Sequence, residues 1–198
     1  MTPGNIVGMA ALNGLSAIAV TDHNASMNSE AAAILGKNYG ITVVPGLELE
    51  TAEQIHVVCL FPDQDGLSRF QEILLSSYGG AVPLNRTDIF GRQLLFNTAD
   101  EVCGELDRML LASTGITIDD SFGLAASLGG IAYPAHVDRD SYREILLKNF
   151  PELENYKLLP SSDAHYIDKI QEEGGAVLEV EEPSAAGIID ALRQGRIL

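Results

Sequence analysis

Ala17-Ile18-Ala19-Val20-Thr21-Asp22-His23-Asn24 is the stretch on which the reading of this chain turns. Four small or branched apolar residues run straight into polar and titratable ones. An apolar run this short, rich in β-branched residues and preceded by a glycine, predicts a buried parallel strand. In a parallel α/β fold, groups just past the C-terminal end of a strand stand where ligands bind. His23 is therefore placed where chemistry happens. The question is whether other strands deliver matching groups to the same rim.

A chain of 198 residues that is 46% apolar is long enough to bury a proper core as one domain over 1–198. Twelve Lys and Arg against 28 Asp and Glu give a formal net charge of −16. That field repels phosphate backbones and speaks against long nucleic acid as a partner. It leaves room for a small anionic substrate where metal ions or a local arginine reverse the sign inside a pocket. Cys59 and Cys103 have no metal-type spacing and read as reduced core residues of a cytoplasmic protein. No apolar run is long enough to span a membrane, and the first residues lack the pattern of a signal peptide.

Working outward from His23, helix and strand signals alternate. Thr2-Pro3 opens a helix that Asn13-Gly14 ends. Residues 28–38 read as a helix stopped by Gly40. Ile41-Thr42-Val43-Val44 reads as a buried strand broken by Pro45-Gly46, and Leu47-Glu48-Leu49-Glu50 alternates like a strand beside Ile55-His56-Val57-Val58-Cys59-Leu60-Phe61. Residues 67–78 form an amphipathic helix, and 79–96 an exposed connection or lid. Helices are expected over 98–111, 117–128 and 142–150. Short strands are expected over 131–135 and 176–180, another beginning at Lys157, and a last helix over 184–194. This alternation fits a barrel-like or open parallel sheet. The chain opens with a helix where such a sheet usually opens with a strand.

Four strand ends carry groups of the metal-ligating type. His23 follows the first, Glu48 the second, His136 the fourth, and Asp163 with His165 the fifth, while His56 lies within the third. All four histidines of the chain occupy such places. Imidazole suits Zn, Mn or Fe, and carboxylate oxygens bridge such ions. Each residue also has a plainer reading. A lone histidine is often a hydrogen-bonded structural group, Asp22 a turn residue, Glu48 a solvated charge and Asp163 part of a helix cap. A shared metal centre accounts for all of them at once.

Thr21-Asp22-His23, Pro45-Gly46-Leu47-Glu48 with His56 downstream, Ala135-His136 with Arg139, and Ser162-Asp163-Ala164-His165 resemble successive motifs of the PHP (polymerase and histidinol phosphatase) family. The resemblance runs from about Thr2 to the C-terminus and rests on the order of the motifs. It implies a distorted seven-stranded (β/α) barrel related to the amidohydrolases, hydrolysing phosphoesters with up to three divalent ions. It further implies that Glu48, His56 and His136 hold one ion, that Glu48 bridges to a second that Asp163 also binds, and that His23 and His165 hold a third. The family's opening strand, with its His-x-His pair and a further His or Asp, has no counterpart here. Only the Glu48/His56/His136 site is therefore expected to be complete. Either a longer native chain supplies the first strand, or this is a degenerate member.

The implied reaction is hydrolysis of a small phosphorylated metabolite or short oligonucleotide by a metal-activated hydroxide. Arg139 is the expected phosphate clamp, unless it pairs with Asp138 or Asp140 on the surface. Asp22 is expected to orient His23 from behind. A catalytically silent metal-binding module with a regulatory or assembly role is the alternative. C–N hydrolysis ranks behind both, because the only lysine near a strand end is Lys157, at a strand's start.

Overall fold

A computed structural model of the chain describes residues 1–137, 148, 151, 159–170 and 175–198. Helix α1 (Pro3–Leu12) has Thr2 as its cap, the Thr2 hydroxyl accepting from the Asn5 N–H. Strand β1 (Ala17–Val20) leads to α2 (Met27–Tyr39), which ends on Gly40 at a left-handed φ of 69°. Then come β2 (Thr42–Glu50), β3 (His56–Leu60) and α3 (Gln64–Ser77), the last capped by Asp63. A short turn of helix, α4 (Thr87–Phe90), precedes β4 (Leu94–Phe96) and β5 (Val102–Glu105). Helix α5 (Ile118–Ser127), capped by Thr117, leads to β6 (Ile131–Pro134), and α6 (Ala185–Arg193) starts at the Ser184 cap.

The fold is mixed α/β around a mixed four-stranded sheet of order β1-β2-β3-β6. β1 pairs parallel with β2, while β3 runs antiparallel to both β2 and β6. The expected all-parallel alternation is thus interrupted. The short link from β2 to β3 permits only a hairpin-like return, because a parallel crossover needs a dozen or more residues. Among the described residues the sheet does not close into a barrel.

Period-2 alternation divides the sheet into two faces. Leu47, Leu49, Val57 and Cys59 point into one core with Leu67, Phe70 and Leu74 of α3 and Ile118 of α5. Each such side chain contributes about 1.5–3 kcal/mol by leaving water. Val44, Val58, Leu60, Ile131 and Tyr133 line the other face, where Ile188 and Ile189 of α6 cover them. A third cluster joins Val7 of α1, Val20, Ala32 of α2 and Val43. Glu48, Glu50 and His56 continue the face that α6 covers, beyond the reach of its apolar side chains.

Several expectations need correction. β2 runs unbroken through Pro45-Gly46. Pro45 sits where the partner changes from β1 to β3, and its carbonyl still accepts from the Phe61 N–H at 2.8 Å. A Cβ at Gly46 would stand 2.7 Å from Leu60 Cδ2 and 3.1 Å from Thr21 Cγ2, so glycine there serves close packing and not a turn.

The helix expected over 98–111 is instead the β4–β5 hairpin. Asn97 Oδ1 accepts from the N–H groups of Ala99 and Glu101, and Asp100 takes a φ of 59°, which closes a turn that no helix tolerates. Asp100 instead holds the start of α1, accepting from the Gly4 N–H and the Thr2 hydroxyl. Cys103 is consequently exposed, while Cys59 is buried as expected.

The strand expected over 176–180 reduces to a single bridge between Leu178 and Ile197. No described strand leads directly into Asp163. The helix expected over 142–150 lies almost wholly outside the described residues, and Arg139 and Lys157 lie outside them altogether. Among the described residues, no helix is long and apolar enough to cross a membrane.

Candidate metal centre

The end of β1 is stitched to the end of β2. The Glu48 N–H donates to the Asp22 carbonyl at 3.2 Å, and the Asn24 N–H donates to the Glu48 carbonyl at 2.8 Å. His23 and Glu48 are thereby bridged in parallel register. In the β2–β3 ladder Glu50 stands directly opposite His56, and Glu48 opposite Val58. β6 delivers His136 two residues beyond its end, with the backbone at a φ of 56°. Asp163 arrives on a separate segment at a φ of 45°. Asn24, His136 and Asp163 are three of the five described non-glycine residues with positive φ, and such strain gathers where function holds a group in place.

Glu48, only 5% exposed, is the centre of the arrangement. Its Oε1 lies 3.0 Å from His56 Nδ1 and 3.1 Å from His136 Nε2, and its Oε2 lies 3.7 Å from His23 Nδ1. His136 Nδ1 is 3.5 Å from Asp163 Oδ2. Two groups of ligand atoms converge, His23/Glu48/His56 and Glu48/His136/Asp163, each with its atoms within 4.8 Å of one another. The resemblance implied that Glu48, His56 and His136 form one set. The groups that form place His56 with His23, place His136 with Asp163, and share Glu48 between them. The imidazole rings stack edge to face, with centroids 4.7 Å apart for His23 and His56 and 5.5 Å apart for His56 and His136.

The remaining predicted residues are placed as follows. His165, its side chain 63% exposed, belongs to neither group, and its Nδ1 lies 2.9 Å from the Asp163 main-chain carbonyl. The Asp22 carboxylate accepts from Asn28 Nδ2 at 3.1 Å and reaches His23 through charge alone, so it does not orient the ring by a hydrogen bond. Arg139 lies outside the described residues.

Two further residues had gone unremarked. Glu50 Oε2 lies 2.5 Å from His56 Nε2. The alternation in Leu47-Glu48-Leu49-Glu50 was the available signal, since it puts both glutamates on one face. Asn24 is fully buried, and its Oδ1 accepts from the Glu50 N–H at 3.0 Å.

The electrostatics follow from this crowding. Burial alone would lift the Glu48 carboxyl, but the imidazoles of His56, His23 and His136 hold it below the usual carboxylate range. Hydrogen bonds to Glu48 and Glu50 raise His56 to about 9. Burial pushes His23 down and Asp22 up. His23 Nδ1 is buried with no hydrogen-bond partner, and 3.7 Å from Glu48 Oε2 is too far for one. An orphaned imidazole nitrogen beside a charged carboxylate suits a divalent cation, and the N/O donor set suits Zn, Mn or Fe.

No protein-family model matches the sequence, and no curated protein matches it. Solved structures do resemble the fold. The structure of an amidohydrolase from Chromobacterium violaceum, with bound sulfate and no metal, superposes with a TM-score of 0.50 at 16% identity, over 86% of this chain and 75% of that one. A proposed metal-dependent phosphoesterase from Bifidobacterium adolescentis gives a TM-score of 0.45 at 13% identity, over 75% of this chain and 69% of that one.

Proposed function

We propose that this chain is a metal-dependent hydrolase of phosphoric esters, of the PHP type, acting on a small phosphorylated metabolite or short oligonucleotide. The observation that carries the reading is the convergence of His23, Glu48, His56, His136 and Asp163 from separate segments onto two ligand groups sharing one carboxylate. In this reading the four-stranded sheet is part of a seven-stranded barrel.

Divalent ions bound there would lower the pKa of a water and neutralise charge on phosphoryl oxygens. The chain's own residues do the rest. Glu48 turns one oxygen toward His56 and His136 and the other toward His23, and so ties the two groups together. Asp163, half-buried and outside the described strands, adds a carboxylate beside His136. Arg139, three residues past His136 and outside the described residues, is the proposed clamp for the phosphoryl oxygens by the resemblance alone. The acidity of the remaining surface turns long nucleic acid away.

Elemental analysis of Zn, Mn and Fe per chain, run beside hydrolysis of a panel of phosphoesters, tests the reading. Metal uptake with hydrolysis is the expected result, with hydrolysis abolished and metal content lowered in His136→Ala, which breaks the Glu48/His136/Asp163 group and leaves His23/Glu48/His56 in place. Hydrolysis that survives in His136→Ala refutes the assignment. Metal uptake with no hydrolysis of any ester favours the alternative, a silent metal-binding module. No metal, even after reconstitution, removes the centre.

A further inference from the structure

We propose that Glu50 is a positioning residue that fixes the His56 ring as an Nδ1 ligand. The inference rests on the metal centre described above and concerns how one of its ligands is made.

His56 stands between two carboxylates with one on each ring nitrogen, Glu48 Oε1 at 3.0 Å from Nδ1 and Glu50 Oε2 at 2.5 Å from Nε2. The two carboxylates differ in company. Glu48 belongs to both ligand groups and also faces His23 and His136, whereas Glu50 belongs to neither group. Nδ1 therefore points into the centre, and Nε2 points away from it.

A neutral imidazole carries one proton, and the nitrogen that keeps it has no lone pair to give a cation. With Nε2–H donating to Glu50, the proton that an incoming ion displaces to solvent is the one on Nδ1, whose lone pair then faces the ion. A carboxylate on the far nitrogen fixes the tautomer and the ring's orientation, and makes the ligating nitrogen more basic.

The backbone that carries the acceptor is held firmly. Glu50 is buried, lies directly across the ladder from His56, and has its N–H bonded to Asn24 Oδ1 at 3.0 Å. The Thr114 hydroxyl closes the same residue from the other side, donating to the Glu50 carbonyl at 2.8 Å.

Two measurements on the full chain decide the matter. The first is Zn(II) affinity by competition with a chromophoric chelator. Glu50→Gln, which keeps an acceptor oxygen and removes the charge, is expected to bind Zn(II) about 10–100-fold more weakly than wild type. Equal affinity overturns the proposal. The second needs no variant. In the Zn(II)-loaded, 15N-labelled wild type, long-range correlation of the His56 ring is expected to show Nε2 protonated and Nδ1 bound to metal. Metal on Nε2 overturns the proposal and makes Glu50 a neighbouring ligand. Should Glu50→Gln fail to fold by circular dichroism, the ring spectrum of the wild type decides alone. Wild type that takes up no Zn(II) overturns the metal centre and this inference with it, whereas tight uptake with the wrong nitrogen overturns this inference only.

Discussion

Asn24 does more for the site than its neighbours in sequence suggest. It is fully buried at a φ of 47°, its Oδ1 accepts from Glu50, and its Nδ2 donates to the carbonyls of Leu110 and Ala112. Its own carbonyl accepts from Gln71 Nε2 at 3.2 Å and Arg108 Nη2 at 2.8 Å. Asn24→Ala strands one donor and two acceptors in the interior, and should cost about 2–4 kcal/mol in urea unfolding. A loss under about 0.5 kcal/mol, the size of an ordinary surface change, would show that these bonds do not hold the site. His23 could be read from the sequence because its chemistry is written in its own side chain. Asn24 could not, because its partners lie 26, 86 and 88 residues away and nothing local announces them.

At the scale of elements, the β4–β5 hairpin and the unbroken β2 are two of the features local patterns misjudge. In residues 98–111 acidic residues imitate the solvated side of a helix, while Val102 and Cys103 carry the weaker strand signal. The thiols report on the difference. Cys103 is exposed on β5, whereas Cys59 is buried and its thiol is pushed up by burial. Ellman's reagent should find one fast thiol in the native chain and the second only after unfolding. Two fast thiols would contradict the β3 core, and none would contradict the hairpin. Gly46 tests the other feature. An added methyl meets the Leu60 side chain and the Cys59 carbonyl, at 2.7 and 3.0 Å, inside the sheet. Gly46→Ala should therefore destabilise by about 1–3 kcal/mol, as overpacking does. In a loop the same change would be nearly silent, and a thermal melt separates the two.

For the molecule as a whole, the apolar runs located the strand ends that place His23, Glu48 and His136 near one another, whereas Asp163 follows no described strand. Which of those strands pair, and in which direction, was not legible in them. That is set by the short β2–β3 connection and by contacts between distant segments. A cluster of carboxylates and imidazoles in a chain of net charge −16 should be strained without a cation. Saturating Zn(II) or Mn(II) at about 100 times its Kd should therefore raise stability by about 2.7 kcal/mol, some 5–10 °C in Tm. A chelator should reverse the gain, and His136→Ala should show less of it. A melting temperature indifferent to both metal and chelator would speak against the centre.

β2 leans on β1 along its first half and on β3 along its second, and its last residues carry two of the carboxylates. Its backbone is therefore among the last parts of the chain to come apart. Local opening is ruled by the least supported segments, and amides bonded in a ladder over a buried core exchange with solvent only when everything opens. The amide protons of residues 47–50 and 57–60 should set the slowest clock in a deuterium experiment, at the rate of global unfolding. The half of the cage that β2 carries would then last as long as the fold does.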